Sequence, residues 1–359
     1  MKAGQSEGKI KVLVVDDSAF YRQTFSEMFR STGRFEVIGT VHDGVEAMRF
    51  LSKQKPDLIT LDLEMPKMDG FTFLRWVMTN NPVPVIVVSS RADKANVFKA
   101  LELGAADFIA KPSHWASLEI MKIRDVLLTK AEAVAGVQVH KLKPVQIAEP
   151  APPSVPEAPP AGGSIQRVGS IDRIVVIGAS TGGPPAITKI LSELPGDLSV
   201  AYAVAQHMPP VFTHYFAERL GKVSKLLVGE ARDGEVVEAG HVYVAPGGHH
   251  ILFDKIGDKI HIVVRPESEA DKYSPSVDIL MKSAAEIFGH RAIGVLLTGM
   301  GKDGKEGMSQ IKKNGGQTLA EAEETAIVFG MPREAILEGV VDKVVMLYEM
   351  SHEIARRCS

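Results

Sequence analysis

The hydrophobic pattern of the chain falls into two stretches of one kind, separated by a segment with no pattern. From Lys9 to about Thr129, KVLVVD (11–16), FEVIGTV (35–41), DLITLDL (57–63), PVIVVS (84–89) and ADFIA (106–110) read as strands, spaced by segments of helical periodicity. After the first of them, Tyr21, Phe25, Met28 and Phe29 recur at i, i+4, i+7 and i+8, one face of a helix for which Asp17 or Ser18 is available as cap. Near-continuous apolar strands that alternate with amphipathic helices need cover on both faces, so the pattern predicts α/β architecture, a doubly wound (βα)5 unit with a parallel sheet.

The alternation resumes with RIVVIGAS (173–180) and continues with strands at 198–207, 241–246, 292–299 and 316–322. HILFDKIGDKIHIVV (250–264) reads as an inserted antiparallel hairpin turning at Gly257 and Asp258. A second, Rossmann-like α/β unit is therefore expected. Between the two, PVQIAEPAPPSVPEAPPAGG (144–163) is rich in Pro and Ala and lacks periodicity, as semi-extended linkers do. The division is a tail at 1–9, a first domain at 10–130, a linker at 131–168 and a second domain at 169–355.

Composition narrows the function classes. The apolar fraction of 45% and the charged fraction of 24% are those of a globular protein, and a net charge of −3 gives no basic field to attract nucleic acid or anionic lipid. MKAGQSEGKIK has no apolar secretory core, no run reaches membrane-spanning length, and Cys358 is the single cysteine. The expectation is a cytoplasmic, monomeric protein without disulfides, with proteins or small molecules as partners.

In a parallel α/β sheet, side chains at the carboxyl ends of the strands gather in one crevice. In the first unit these are Asp16 and Asp17, Asp62, Ser89, and Lys111 before Pro112. Three carboxylates suit a hard cation such as Mg²⁺, and a cation beside Asp62 would let that carboxylate attack a phosphoryl donor. Taken singly, each of these acids could equally cap a helix.

In the second unit, VVIGASTGGPP runs from a buried strand into a helix opened by Pro184, and Gly178-Ala-Ser180-Thr-Gly182 has the G-x-S-x-G spacing. A glycine-rich phosphate loop is the rival reading. A dinucleotide fold, however, wants an acid about 20 residues on, at the end of the next strand, where this chain has Gln206-His207. A serine nucleophile needs such a base, and Asp303 in LTGMGKDGKEG follows a further strand as a candidate orienting acid. Ser180 as a helix cap, His207 as a satisfied strand-end histidine and Asp303 as an N-cap are the plain alternatives. His249 and His250 are adjacent and point to opposite faces of a strand; with His241 and His261 they read as structural or surface residues.

The motifs Asp16-Asp17-Ser18, LDLEMPKMDG (61–70), VVSS (87–90) and Lys111-Pro112 resemble the bacterial two-component receiver domain over residues 10 to about 128. That resemblance implies phosphorylation at Asp62, Mg²⁺ held by Asp16, Asp17, Asp62 and the Glu64 carbonyl, Lys111 paired with the phosphoryl group, and Ser89 following it. Phe108 stands at the switch-aromatic position, where it can pack but cannot donate a hydrogen bond. GASTGG, AQHMPP, APGGHH, PSVD and LTGMGKDG resemble, in order, the catalytic domain of the chemotaxis protein-glutamate methylesterase over about 171–350. This second resemblance implies nucleophile Ser180, base His207, acid Asp303 and the Met300 backbone N–H in an oxyanion hole, with no cofactor for the esterase chemistry. It implies methylated chemoreceptor cytoplasmic domains as substrate, a chemotaxis histidine kinase as phosphodonor, deamidation of glutamines as a second activity, and control of the Ser180 site by Asp62 phosphorylation.

Overall fold

A computed structural model describes residues 8–90, 93–111, 117–142 and 171–359. Pro112, residues 1–7 of the expected tail and residues 143–168 of the expected linker lie outside the described residues. The linker's expected start at 131 is corrected, because helix continues to Ala135 and Ala131, Val134 and Leu142 are buried, so 131–142 belong to the first unit. The chain divides into two compact units, Met1–Val145 and Gln146–Ser359. Among the described residues no helix is long and apolar enough to cross a membrane.

The first unit alternates strand and helix in the predicted order: β1 (Ile10–Val15), α1 (Ala19–Arg30), β2 (Phe35–Val41), α2 (Gly44–Leu51), β3 (Leu58–Asp62), α3 (Gly70–Asn80), β4 (Val85–Ser89), α4 (Lys94–Glu102), β5 (Asp107–Ala110) and α5 (Ser117–Ala135). The strands pair in parallel in the order β2-β1-β3-β4-β5. Every residue of β3 and β4 is buried, which is why their sequences show no alternation. Ser18 is the N-cap of α1, but its side chain makes no capping bond; its N–H donates instead to Asp16 Oδ1 at 2.9 Å. Phe25, Met28 and Phe29 are buried as the periodicity predicts, whereas Tyr21 is half-buried and turns toward the sheet edge described below.

The second unit holds β6 (Arg173–Ala179), α6 (Gly183–Glu193), β7 (Val200–Gln206), α7 (Pro210–Val223), β8 (Leu227–Glu230), β9 (His241–Val244), β10 (His249–Ile256), β11 (Lys259–Pro266), α8 (Val277–Phe288), β12 (Ala292–Leu296), α9 (Lys305–Lys313), β13 (Gln317–Glu321), α10 (Met331–Leu337), β14 (Lys343–Val345) and α11 (Leu347–Cys358). Seven strands form a parallel sheet in the order β14-β13-β12-β6-β7-β9-β8. β10 and β11 make the expected hairpin, turning at Gly257 and Asp258, but as a separate two-stranded sheet. Ile174 to Ile177 on β6 and all of β7 are buried, each large aliphatic chain contributing roughly 1.5–3 kcal/mol. That packing makes the strand ends a rigid platform.

Candidate functional site

In the first unit β1 is flanked by β2 and β3, so the chain leaves it in opposite directions and a crevice opens at its carboxyl end. Asp16 and Asp17 follow β1 and Asp62 ends β3; one carboxylate oxygen from each lies within 4.8 Å of the others. Lys111, just beyond β5, places Nζ 2.6 Å from Asp62 Oδ2 and 2.9 Å from Asp16 Oδ2. Burial pushes the Asp16 carboxyl up to about 6; Lys111 opposes the rise and the Asp62 charge adds to it. Burial raises Asp62 too, against Lys111. Burial alone would lower the Lys111 ammonium, but the Asp16 and Asp62 carboxylates outweigh it and hold it up.

Three carboxylates crowded this closely, all offering oxygen donors, are a donor set that a hard divalent cation fits. Ser89 lies one residue beyond Val88, the register partner of Asp62, and its carbonyl accepts the Lys111 N–H at 2.7 Å. Glu64 enters the corner through its N–H, which donates to Asp62 Oδ1 at 3.3 Å. Phe108 is buried in β5, with Lys130 Nζ 5.2 Å from its ring centroid.

Two contributions went unread in the sequence. Arg22 donates to the carbonyls of Asp16 at 2.7 Å and Asp17 at 2.9 Å, fixing the acidic loop. The Tyr21 ring stands 4.3 Å from Lys111 Nζ, a cation–π contact the helical periodicity had assigned to the core.

In the second unit β6 lies between β12 and β7, again a point where the strand order reverses. Ser180, His207 and the Thr298–Asp303 turn follow these three strands. Register brings them together: the Ser180 N–H donates to the Thr298 carbonyl at 3.0 Å, and the His207 N–H donates to the Ala179 carbonyl at 3.0 Å. Gln206 donates from Nε2 to the Ser180 carbonyl at 2.9 Å, so the residue standing where a ribose-binding acid would be is occupied in bracing the serine turn. The N-cap of α6 is Gly182 at φ 79°, a left-handed conformation, and no serine side chain caps the helix. Gly299 packs against the serine: a Cβ there would lie 2.8 Å from Ser180 Cβ and 3.0 Å from Ser180 N.

His207 Nε2 lies 2.8 Å from Asp303 Oδ2, so a proton on Nε2 is donated to that carboxylate and Nδ1 is the nitrogen left for Ser180. Ser180 Oγ makes no hydrogen bond to His207 here, a looseness common before substrate binds. Asp303 is not an N-cap of the helix that follows it, whose N-cap is Gly304. It sits instead at the N-terminus of α8, where Val277 N–H (2.8 Å), Asp278 N–H (2.9 Å) and Ser276 Oγ–H (3.1 Å) donate to it, joined by Gly304 N–H at 3.1 Å.

Burial would raise the Asp303 carboxyl. The His207 hydrogen bond and charge and the α8 amides outweigh burial and hold it below the usual carboxylate range. Burial pushes the neighbouring Asp278 carboxyl up; the Gly307 N–H opposes this and the Asp303 charge adds to it. Met300 lies between Gly299, whose N–H donates to the Val328 carbonyl, and Gly301 at φ 87°. Among the described residues no acceptor is found for the Met300 N–H, which leaves it available to an oxyanion.

Ser276, Asp278, Thr298 and Tyr273 also belong to this site, with no side-chain pattern in the sequence that assigns them to it. The motif PSVD contains the first two, but only the docking of α8 shows what they hold. Tyr273 stacks on the His207 imidazole, with centroids 4.6 Å apart and planes 5° from parallel. His250 is fully buried and structural: Ser276 N–H donates to its Nδ1 at 3.1 Å. Among the described residues, Asp16, Asp17 and Asp62 are the grouping with metal-ligand spacing.

A response regulator receiver domain family model matches residues 12–121, and a CheB methylesterase family model matches residues 175–354. A protein-glutamate methylesterase/protein-glutamine glutaminase of Geobacter sulfurreducens is 49% identical, over 98% of this chain and 98% of its own. One of Myxococcus xanthus is 43% identical, over 98% and 97%. The crystal structure of the Thermotoga maritima CheB methylesterase catalytic domain, 42% identical, aligns at a TM-score of 0.50 over 52% of this chain and 98% of that one. With a receiver sheet ahead of a carboxylic-ester hydrolase domain, this chain belongs to the CheB family of protein-glutamate methylesterase/protein-glutamine glutaminases.

Proposed function

We propose that Ser180, His207 and Asp303 hydrolyse glutamyl methyl esters on the cytoplasmic helices of chemoreceptors, and that the same residues deamidate glutamines there. The observation that carries this reading is the 2.8 Å His207–Asp303 pair, with Asp303 fixed by four further donors, at the strand end beside Ser180. Ser180 Oγ attacks the ester carbonyl as its proton passes to His207 Nδ1. The imidazolium is stabilised through Nε2 by Asp303, and the carbonyl oxygen takes up charge against the Met300 N–H and the N-terminus of α6. His207 then returns the proton to departing methanol, and water repeats the sequence on the acyl-enzyme to release the glutamate. With an amide in place of the ester, the leaving group is ammonia and the remaining steps are unchanged.

Control is assigned to the receiver. Asp62 accepts a phosphoryl group from a chemotaxis histidine kinase, and its phosphorylation relieves an inhibition of the Ser180 site. Asp16, Asp17, Asp62 and the Glu64 carbonyl would hold Mg²⁺, which supplies charge neutralisation of the incoming phosphoryl group. Lys111 would hold the phosphate oxygens and Ser89 would follow them, a reading supported by the Lys111–Asp62 pair and by Ser89 lying at the end of β4.

Methanol release from methylated receptor, by wild type and Ser180→Ala, each with and without a small-molecule phosphodonor, tests both parts. The reading expects release by wild type, stimulation by the donor, and none above background from S180A. Release by S180A would sink the chemistry, and a wild type indifferent to the donor would sink the control.

A further inference from the structure

An imidazole anchored at one nitrogen is only partly fixed. The Asp303 bond places Nε2, but the ring can still tilt about the line from Cβ toward that nitrogen, and the tilt moves Nδ1, the nitrogen left for the serine. What sets the plane is the phenol ring of Tyr273, stacked 4.6 Å from the His207 ring at 5°. Tyr273 is itself held. On its N-terminal side, Asp271 Oδ2 accepts the Ser268 N–H and Oγ–H, each at 2.8 Å, and lies 3.2 Å from His250 Nε2. On its C-terminal side, Ser276 N–H donates to the other nitrogen of that same buried histidine. The segment that carries Tyr273 is thus hydrogen-bonded to His250 at its C-terminal end and lies against the same ring at its N-terminal end. The far edge of the phenol abuts the oxyanion turn, since a Cβ on Gly301 would come within 2.7 Å of Tyr273 Oη.

We propose that Tyr273 is a positioning residue for the general base: its ring fixes the plane of the His207 imidazole, directing Nδ1 at Ser180, and supports the imidazolium that forms when the serine is deprotonated. The second role follows from the same geometry, because a cation within about 6 Å of an aromatic centroid is attracted by the ring. The charged groups that bear on this pair are Asp303, bonded to the imidazole, and Lys272, whose Nζ stands 5.2 Å from the Tyr273 centroid. The role resides in the ring face and not in the hydroxyl.

This inference rests on the Ser180–His207–Asp303 reading, so its test carries Ser180→Ala as a control in the full-length protein. Methanol release from methylated receptor is followed over pH for wild type, Tyr273→Phe and Tyr273→Met. Tyr273→Phe keeps the stack and is expected within about twofold of wild type. Tyr273→Met loses it, and kcat should fall roughly 3- to 30-fold with KM unchanged, the scale of one ring–cation contact. The acidic limb of kcat/KM, which reports protonation of the base, should also move about half a pH unit downward, since the charged imidazole has lost its support.

A purely structural role would not move that limb. Tyr273→Met with unchanged kcat and pH profile, Tyr273→Phe as impaired as Tyr273→Met, or a change confined to KM each overturns the proposal. Tyr273→Leu takes the place of Tyr273→Met if the latter shows no cooperative melt. An active S180A would instead overturn the triad reading, whatever the Tyr273 variants do.

Discussion

Replacing Asp303 by asparagine is close to isosteric, yet its surroundings make it a severe change. Oδ2 accepts from Val277 N–H and His207 Nε2, and Oδ1 from Ser276 Oγ, Asp278 N–H and Gly304 N–H. An amide has one oxygen to give. If its nitrogen takes the Oδ1 place, two backbone N–H groups face a donor; if it takes the Oδ2 place, Val277 N–H is orphaned and His207 must accept at Nε2. The second arrangement costs less and puts the imidazole proton on Nδ1, facing Ser180, so the base is disabled. One orphaned buried N–H costs about 1–3 kcal/mol and the lost anion at the α8 N-terminus adds roughly 0.3–2 kcal/mol, so about 2–4 kcal/mol of stability should go. For a unit of this size that is a fall in melting temperature of roughly 4–16 °C.

Both tryptophans, Trp76 and Trp115, precede the second unit in sequence. Calorimetry combined with tryptophan fluorescence can therefore separate the two transitions. In D303N the fluorescence transition should stay in place while the other moves down, and kcat for methanol release should drop by about 10³–10⁴. Because the folded Asp303 carboxyl lies below its unfolded value, its contribution is present above an unfolded pKa near 4 and is lost as pH falls through the folded value. The stability gap between wild type and D303N should accordingly narrow on acidification. A gap under about 0.5 kcal/mol at pH 7, or a kcat within about tenfold of wild type, would refute this account of the acid.

Other expectations follow from neighbouring positions. Gly299→Ala would drive a methyl into buried Met331 and to 2.8 Å from Ser180 Cβ, so displacement of the nucleophile by several tenths of an ångström should lower kcat/KM by about 10- to 100-fold, with a loss of about 1–3 kcal/mol in stability; wild-type kinetics would show that the turn yields freely. Asp278→Asn should stabilise the protein at pH 8. Its folded carboxyl is raised, so the cost of ionising it is absent below the unfolded pKa and grows as pH rises through the folded one. Allowing for solvent screening the gain is about 1 kcal/mol, and urea titrations at pH 5 and pH 8 showing no difference would contradict it. Asp62→Asn should abolish stimulation by a small-molecule phosphodonor and leave basal methanol release unchanged, whereas a stimulated D62N would move the phosphoacceptor elsewhere.

Much of the fold was legible because both sheets are parallel and central strands are buried on two faces: β1, β3, β4, β6, β7 and β12 announce themselves as apolar runs. The same fact made the sites legible, since a group placed just after such a run must lie at the sheet's carboxyl edge. Ser180, His207 and Asp303 were assigned to one sheet edge in that way, and the structure has them there. Edge strands carry less signal: β14 has three residues, and β8 exposes Leu227, so neither stood out from its surroundings. Asp303's partners could not be read, because Val277 and Asp278 lie 25 or more residues away and act through backbone amides, which leave no mark in side-chain identity. Tyr273 sits in an irregular loop, where no periodicity points at a neighbour. Ser18 stands at the cap position of α1 without a side-chain capping bond, and nothing local in the sequence distinguishes that outcome.

The central claim is that Ser180 is the nucleophile and that its reactivity depends on His207. Labelling the full-length protein with a fluorophosphonate, followed by peptide mapping, addresses it directly, because such a reagent marks a serine only where base and oxyanion donors are assembled around it. The account predicts one adduct per chain, on Ser180, absent from S180A and strongly slowed in His207→Ala. An adduct on another residue, or an unlabelled Ser180 in protein that releases methanol, would contradict it.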